Sequence, residues 1–184
     1  MKIACLGWGS LIWKPGNLPV ASEWFTDGPR LPIEFSRVGD SGELATALCA
    51  NAEPVPVLWA WLAAPSLDAA CNALKQREAI PQERDDGIGS LMIQGQPTGL
   101  ISQWAQAHGA QAVIWTALPP RIHGVEGRVP TADEAIAYLA SLRGEARQHA
   151  GDYLAAVPRQ IDTAYRRAIE QQGFLSRMTE EDFK

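Results

Sequence analysis

The chain has 184 residues, a hydrophobic content of 46%, a charged content of 20% and a formal net charge of −5. This length suffices for one domain with a substantial core, and the composition is that of an ordinary globular protein. The negative charge argues against broad binding of nucleic acid, which needs a basic surface. No apolar run approaches the roughly 20 residues that cross a bilayer, and the N-terminus lacks the features of a signal peptide. We therefore expect a cytoplasmic protein that binds neither nucleic acid nor membranes.

The first half of the chain is rich in predicted strands. Short apolar runs alternate there with glycine, proline, aspartate and asparagine, which is typical of strands and turns. The predicted strands are 2–6, 31–37, 44–49 and 57–62, with a fifth at 112–116. The connection "VGDSGEL" is typical of a hairpin loop, so we expect the second and third strands to be antiparallel neighbours.

Helices are predicted between and after the strands. Their ends are marked by capping residues and by glycine or proline. The predicted helices are 67–79 with Ser66 as its N-terminal cap, a segment that ends at Gly109, and a segment from Thr131 to Gly144 with Glu134 in capping-box spacing. Residues 145–172 predict one or two further helices, interrupted near Pro158. This order predicts the α+β class, with helices covering a small, mixed and strongly curved sheet or barrel.

The sequence gives no sign of a second domain or of internal repeats. It contains no long linker and no low-complexity segment, so we expect one domain over residues 1–184, helical from about residue 131. The pattern "GWGSL" at residues 7–11 recurs as "GIGSL" at residues 87–91. The flanking residues of the two copies differ, which favours coincidence over a repeat.

The cysteines and histidines form no metal-binding or disulfide pattern. Cys5, Cys49 and Cys71 are odd in number, widely spaced and without a C-x-x-C pair, which is typical of reduced and mostly buried thiols. The three histidines show no H-E-x-x-H spacing and no clustering with cysteine. We therefore expect no protein-bound metal.

The predicted first strand ends in a glycine-serine turn that matches none of the common nucleotide or nucleophile motifs. A dinucleotide fingerprint would need glycine where Ile12 stands, and the Gly-Lys-Ser of a P-loop and the G-x-S-x-G of a nucleophile elbow are absent. Successive backbone N–H groups in such a turn can converge on an anion, and Ser10 can add a hydroxyl donor. The alternative is a tight turn with Trp8 and Trp13 buried beside it.

Glu78 lies on the face of the first predicted helix that should be buried. The apolar stripe of this face consists of Leu67, Ala70, Cys71 and Leu74. At about 100° per residue, Glu78 points in nearly the same direction as Leu67. Apolar surroundings raise the pKa of a carboxyl group and make it a better base near neutral pH. The alternative is that the stripe has ended, which leaves Glu78 exposed or paired with Arg77 or Arg84.

The turn and the glutamate together resemble the γ-glutamylcyclotransferase-like superfamily. "LGWGSLIWKPG" is similar to the "YGSL" or "YGSN" loop of the family, and "GSLIWKPG" is especially similar to ChaC-type members. The segments "LPIEFSRV", "VPVLWAWLA" and "LKQRE" follow in the family's order of strand, strand and catalytic segment, which puts the catalytic glutamate at Glu78. The resemblance covers about residues 3–83, and the C-terminal half is only loosely similar.

The resemblance implies a small mixed α/β barrel and an intramolecular cyclisation without a metal or an organic cofactor. The free α-amino group of a γ-glutamyl compound attacks its own γ-carbonyl and releases 5-oxoproline and an amine or peptide. Trp8, Gly9, Ser10 and Leu11 are implied to bind the glutamyl moiety, the last three largely through backbone N–H groups. Glu78 is implied to take the proton from the α-ammonium group and to deliver it to the leaving nitrogen.

Two tryptophans depart from the family pattern. Trp8 stands where the family usually has tyrosine, and Trp115 stands where a tyrosine is expected. The lost hydroxyl groups weaken the assignment of glutathione as the donor and leave γ-glutamyl amino acids, γ-glutamylamines and peptides open. They also leave open a different class of function, a non-catalytic module that binds a small anionic ligand of the γ-glutamyl type. The sequence does not indicate the oligomeric state.

Overall fold

A computed structural model describes residues 1–174 of the chain. The strands of this part are β1 (Ile3–Gly7), β2 (Arg30–Val38), β3 (Leu44–Leu48), β4 (Pro54–Pro56), β5 (Leu58–Leu62), β6 (Ile88–Met92), β7 (Ala112–Thr116), β8 (Arg121–Ile122) and β9 (Val125–Glu126). The helices are α1 (Leu67–Arg77), α2 (Leu100–Ala107), α3 (Ala132–Ser141), α4 (Gly144–Ala156) and α5 (Ala164–Gln171). The α+β class and a strongly curved, half-barrel sheet are confirmed.

The chain divides into two compact units. The first unit contains Met1–Arg30 and Pro56–Leu118, and the second contains Leu31–Val55 and the chain from Pro119 onward, described as far as residue 174. The prediction of a single domain stays a prediction. No helix among residues 1–174 is long and apolar enough to cross a membrane.

The first unit is built on a four-stranded mixed sheet in the order β5-β1-β7-β6. Strand β1 pairs antiparallel with β5 and parallel with β7, and β7 pairs antiparallel with β6. Every residue of β1 is buried, which explains its uninterrupted apolar sequence. Helix α1 packs through Ala70 and Leu74 onto a core that includes Ile3, Cys5 and Ile114. The predicted apolar stripe is confirmed, since Leu67 and Cys71 pack against this core.

The second unit contains a sheet in the order β3-β2-β8-β9, with β4 also paired to β2. Strands β2 and β3 are antiparallel, which confirms the predicted hairpin. Helix α4 packs against β3, where the Tyr153 hydroxyl lies 3.0 Å from the hydroxyl of Thr46. Helices α3 and α5 pack against each other.

The sequence prediction missed strands β4, β6, β8 and β9. Prolines at both ends of β4, Pro54 and Pro56, argue against a strand, yet β4 is a short segment paired only with β2. Strand β6 contains the second copy of the repeated pattern, and its glycine and serine weakened the apolar signal. The first copy ends a strand and enters a loop, so the two copies have different structures, as coincidence predicts.

A close approach of backbone to ring explains the glycine inside β6. Gly89 and Trp115 are register partners in the β6–β7 pair. The indole ring of Trp115 lies so close to Gly89 that a Cβ atom on residue 89 would clash with the ring. Glycine is therefore required here for packing, although it weakens a strand.

The capping residues were predicted better than the positions at which the helices end. Ser66 accepts a hydrogen bond from the Ala69 N–H, and Thr131 forms a capping box with Glu134. Gly109, with φ of 75°, follows α2 as predicted. Gly144 was wrongly assigned to the end of the third helix. Helix α3 ends at Ser141, and Gly144 is the first residue of α4.

The three cysteines are free thiols, and their predicted burial is confirmed for two of them. Cys5 and Cys49 are buried, and Cys71 is half-buried. Burial, together with the charge of Glu78 and the nearby Cys71, raises the pKa of the Cys5 thiol strongly. Cys5 therefore stays protonated and acts as a small apolar core residue.

Candidate functional site

The glycine-serine loop, residues 7–14, begins where β1 ends in the first unit. The ring of Trp24 packs against Gly7 so closely that a Cβ atom there would lie 2.7 Å from it. The Ile12 N–H donates to the Gly9 carbonyl at 3.1 Å, and the Lys14 N–H donates to the Ser10 carbonyl at 2.7 Å. These bonds close a compact turn directly after a rigid central strand.

Three successive backbone donors of this loop have no acceptor in the described part of the chain. The N–H groups of Gly9, Ser10 and Leu11 donate no hydrogen bond within residues 1–174. Gly9 and Leu11 are buried and Ser10 is half-buried. Because buried N–H groups are almost always paired, such a row of donors is typical of a site for water or an anionic ligand.

The two tryptophans beside the turn differ in burial. Trp8 is only 5% exposed, in agreement with either interpretation of the turn. Trp13 is 38% exposed, so the alternative of a tight turn with both tryptophans buried is wrong for Trp13. Trp13 lies in the stretch enclosed by the Lys14 to Ser10 hydrogen bond, where residues 13 and 14 are both exposed. Packing of Trp13 therefore does not explain the turn.

Glu78 is the cap residue at the C-terminal end of α1. The helix ends here because Ala79 adopts the left-handed conformation, with φ of 54°. The Glu78 side chain is 16% exposed, as expected for the inward direction extrapolated from Leu67. Glu78 therefore holds a largely buried carboxylate at the junction of a helix and a loop.

The carboxylate of Glu78 has two identified polar neighbours. Its Oε1 atom lies 3.4 Å from Nη1 of Arg77 and accepts a hydrogen bond of 3.3 Å from the hydroxyl group of Thr116. Thr116 is the last residue of β7, so the central sheet positions this donor. The expected pairing of Glu78 with Arg77 is thus present together with the expected burial, although the two had been alternatives. The Arg84 guanidinium group donates to Asp86.

Arg77 links the loop to the glutamate, and sequence reasoning did not assign it this role. Its Nη2 atom donates to the Ser10 hydroxyl oxygen at 3.0 Å and to the Lys14 carbonyl at 2.6 Å. Its Nε atom donates to the same carbonyl at 3.0 Å, and its Nη1 atom contacts Glu78. One guanidinium group therefore holds the turn and the carboxylate together.

The hydrogen-bond roles at Ser10 leave this residue able to donate. Its hydroxyl oxygen accepts from Arg77, so the hydroxyl hydrogen is directed elsewhere. Together with the three backbone N–H groups, the loop offers four donors next to a carboxylate and a guanidinium group. This combination can hold an anionic group on the loop and exchange a proton at Glu78.

The structure brings together most of the predicted site. Glu78 and Ser10 both contact Arg77, and Gly9 and Leu11 flank Ser10 in the loop. Trp8 is buried at the start of the same loop. Residues 77 and 10 are far apart in sequence, so no local pattern predicts their contact. Within residues 1–174, no group of three or more His, Cys, Asp or Glu side chains is arranged to hold a metal ion.

Comparisons with known proteins name no family for this chain. No model of a known protein family matches the sequence. A search of curated proteins gave no match either.

Proposed function

We propose that the protein is a γ-glutamylcyclotransferase-like enzyme of the cytoplasm, with small γ-glutamyl compounds as substrates. The observation that supports this proposal most directly is the guanidinium group of Arg77, which contacts both Ser10 and Glu78. It joins the two halves of the site that the loop resemblance implies. The backbone donors of Gly9 to Leu11, which have no acceptor within residues 1–174, supply the second support.

The glycine-serine loop binds the glutamyl group in this proposal. The N–H groups of Gly9, Ser10 and Leu11 donate to the negatively charged α-carboxylate of the substrate, and the Ser10 hydroxyl adds a fourth donor. Backbone donors need no cationic side chain, which fits the net charge of −5. Arg77 keeps the loop in this conformation through its bonds to Lys14 and Ser10.

Glu78 performs both proton transfers. Its carboxylate removes a proton from the substrate α-ammonium group, because only the neutral amine is nucleophilic. The amine attacks the γ-carbonyl carbon, a C–N bond closes the five-membered ring, and the bond to the leaving nitrogen breaks. Glu78 returns the proton to that nitrogen, and the second proton, which the ring nitrogen gives up as it becomes an amide, leaves on the released amine as its ammonium group. 5-Oxoproline and an amine or peptide therefore leave, and no water is consumed. Because the attack is intramolecular, holding the substrate folded supplies much of the remaining rate enhancement.

The test is the formation of 5-oxoproline from a panel of γ-glutamyl donors. The panel contains glutathione, a γ-glutamyl amino acid and a γ-glutamylamine, because Trp8 and Trp115 leave the donor open. We expect Glu78→Gln to lower turnover of the active donor by at least about 10²-fold, since the amide cannot accept the proton. Chromatographic quantification of 5-oxoproline measures this loss.

The matched control is Glu83→Gln, at an exposed position in the loop that follows α1. It removes the same charge from a nearby carboxylate and should leave turnover unchanged. Full turnover by Glu78→Gln, or an equal loss in both variants, would show that Glu78 is not the base. Circular dichroism of both variants confirms that the fold is retained.

The alternative function is a non-catalytic module for a small anionic ligand. The ion pair of Glu78 and Arg77 favours this alternative, because a nearby cation stabilises the charged carboxylate and weakens it as a base. Calorimetry with the same donors, followed by analysis of the recovered ligand, separates the two functions. Saturable binding with unchanged ligand supports the module, and conversion of the ligand to 5-oxoproline supports the enzyme.

A further inference from the structure

The second unit contains a cavity among its helices, separate from the residues of the candidate site. Its volume is about 340 Å³, at the low end of the range for small-molecule sites. The lining residues come from α3, α4, α5 and the segments that follow α3 and α5. They are Ile136, Leu139, Ala140, Arg143, Arg147, Ile169, Gln172 and Phe174.

Most of the cavity wall is apolar. Leu139 and Ile169 are fully buried, and Ile136 is half-buried beside them. The aromatic ring of Phe174 completes this surface. Such a wall favours a ligand with an aliphatic or aromatic body, because burying apolar surface is favourable at about 25 cal/mol per Å².

Arg147 brings a positive charge to the apolar wall. It is 7% exposed although it lies on a helix, and its guanidinium carbon lies 5.5 Å from the centre of the Phe174 ring. This distance is that of a cation–π contact between two side chains that line the cavity. Guanidinium groups recognise planar oxyanions through paired N–H donors.

Arg143 supplies a second, more exposed cation at the C-terminal end of α3. Its Nη1 atom donates to the carbonyl groups of Ala140 and Leu142, both at 2.7 Å. These bonds hold the side chain against the helix end, and its Nη2 atom donates to no group within residues 1–174. Among residues 1–174, neither aspartate nor glutamate lines the cavity. The charged groups of the described lining are the two guanidinium groups, beside the polar Gln172 and five apolar side chains.

We propose that this cavity is a binding site for a small amphipathic carboxylate, with the carboxylate group on Arg147 and Arg143 and the apolar body against Leu139, Ile169 and Phe174. The low volume favours a ligand no larger than a medium-chain fatty acid or an arylalkanoic acid. The site is independent of the proposed cyclotransferase reaction. A failure of one proposal therefore leaves the other in place.

The probe for this proposal is octanoate, titrated into the full-length protein by isothermal calorimetry. Octylamine has the same chain with the opposite charge, and acetate has the same head group without the chain. We expect one octanoate per chain, bound at least about tenfold more tightly than octylamine, and no measurable binding of acetate. Equal affinities for octanoate and octylamine would overturn the proposal.

Variants of the two arginines locate the site. Arg147→Met keeps an unbranched apolar side chain, removes the charge and should weaken octanoate binding by about tenfold or more. Arg143 is exposed, so we expect Arg143→Gln to keep the fold. This variant tests the proposal if Arg147→Met fails to fold. Ala140→Trp fills the cavity and should abolish binding. Unchanged octanoate affinity in Arg143→Gln and Ala140→Trp would overturn the proposal.

The control for location is Glu78→Gln, which changes the candidate site of the first unit. It should leave the affinity for octanoate unchanged. A weakened octanoate affinity in this variant would assign the bound octanoate to the candidate active site and overturn the proposed cavity site.

Discussion

Two arginines, one fully and one mostly buried, have different sets of partners in the two units. In the second unit, Arg166 is 1% exposed and donates to the backbone carbonyls of Leu154, Val157, Pro158 and Ile161. In the first unit, the side chain of Arg77 is 14% exposed and divides its donors between one carbonyl, one hydroxyl and one carboxylate. The first set of partners is structural, and the second set includes groups that can bind a ligand or move a proton.

The difference shows which buried arginines indicate a function. Carbonyl groups at the end of a helix need donors, and Arg166 satisfies four that lie in the last turn of α4 or after it, with Glu170 balancing its charge. A loop carbonyl such as that of Lys14 needs one donor as well, whereas the contacts of Arg77 with Ser10 and Glu78 satisfy side chains rather than backbone groups. The partners of a buried guanidinium group are thus more informative than its burial.

The largest effect expected from this comparison is on the stability of the second unit. Arg166→Met leaves several carbonyl groups without a donor in a buried setting, so we expect a loss of about 3–5 kcal/mol in the free energy of unfolding. Denaturation in urea, followed by circular dichroism, measures the change. Arg167→Met, at the adjacent exposed position, is the control and should change stability by less than about 0.5 kcal/mol.

An equal and small effect of Arg166→Met and Arg167→Met would contradict the structural role of Arg166. It would mean that the carbonyl groups after α4 find other donors, such as water. The contrast between the two units would then not hold.

Arg77→Met should have the opposite profile, with a small effect on stability and a larger one on turnover. We expect a loss of about 1 kcal/mol in stability and a fall of roughly 30-fold in kcat/KM for the active donor, because the loop loses its link to the carboxylate. The acidic limb of the kcat/KM profile should move to higher pH, since removing a nearby cation favours the protonated carboxyl of the base.

The control for Arg77→Met is Lys75→Met, in the same turn of α1. Lys75 donates to the Gln82 carbonyl and is not a contact of the loop or of Glu78. An unmoved pH profile in Arg77→Met, with turnover lost only in proportion to folded protein, would assign Arg77 a purely structural role like that of Arg166.

The smallest effect is expected in acid, where carboxyl groups in both units have lowered pKa values. Hydrogen bonds from Arg159 lower the pKa of Glu170, and the indole N–H of Trp59 lowers that of Asp27. Both carboxylates therefore stabilise the fold above their ordinary pKa, and this stability is lost as the pH falls through the folded-state values. Thermal melting between pH 2 and about pH 5 should show a flatter acid limb for Glu170→Gln than for wild type.

Asp27→Asn should flatten the acid limb less than Glu170→Gln. The Asp27 side chain is 66% exposed, against 28% for Glu170, so solvent screens its interactions more strongly. A larger flattening of the acid limb in Asp27→Asn than in Glu170→Gln would contradict this prediction.

The parts of the fold that were predictable depend on local signals. Strand β7 was predicted with its observed bounds because "AVIWT" is a continuous apolar run, and α3 was predicted at its start because Thr131 and Glu134 form a capping box. Strand β6 was missed because its glycine is explained only by a ring from another strand. Such a reason lies in tertiary packing and leaves no periodic signal.

Local signals in the sequence predicted only part of the candidate site. Helical periodicity gave the direction of Glu78, and the glycines of the turn pointed to backbone donors. The role of Arg77 depends on its contacts with Ser10 and Lys14, which precede it by more than 60 residues. Arg77 stands in an ordinary charged segment of the sequence, "LKQRE". No feature of this local sequence distinguishes Arg77 from the other arginines.

The packing of Trp115 on Gly89 restricts which residues positions 89 and 115 can hold in related chains. A bulkier residue at position 89 is tolerated only if the indole at position 115 is replaced by a smaller group, because the ring occupies the space of the missing Cβ atom. Trp115 is therefore paired with a glycine on the neighbouring strand. In related chains the two positions should covary, and a single replacement at position 89 should be rarer than the double replacement.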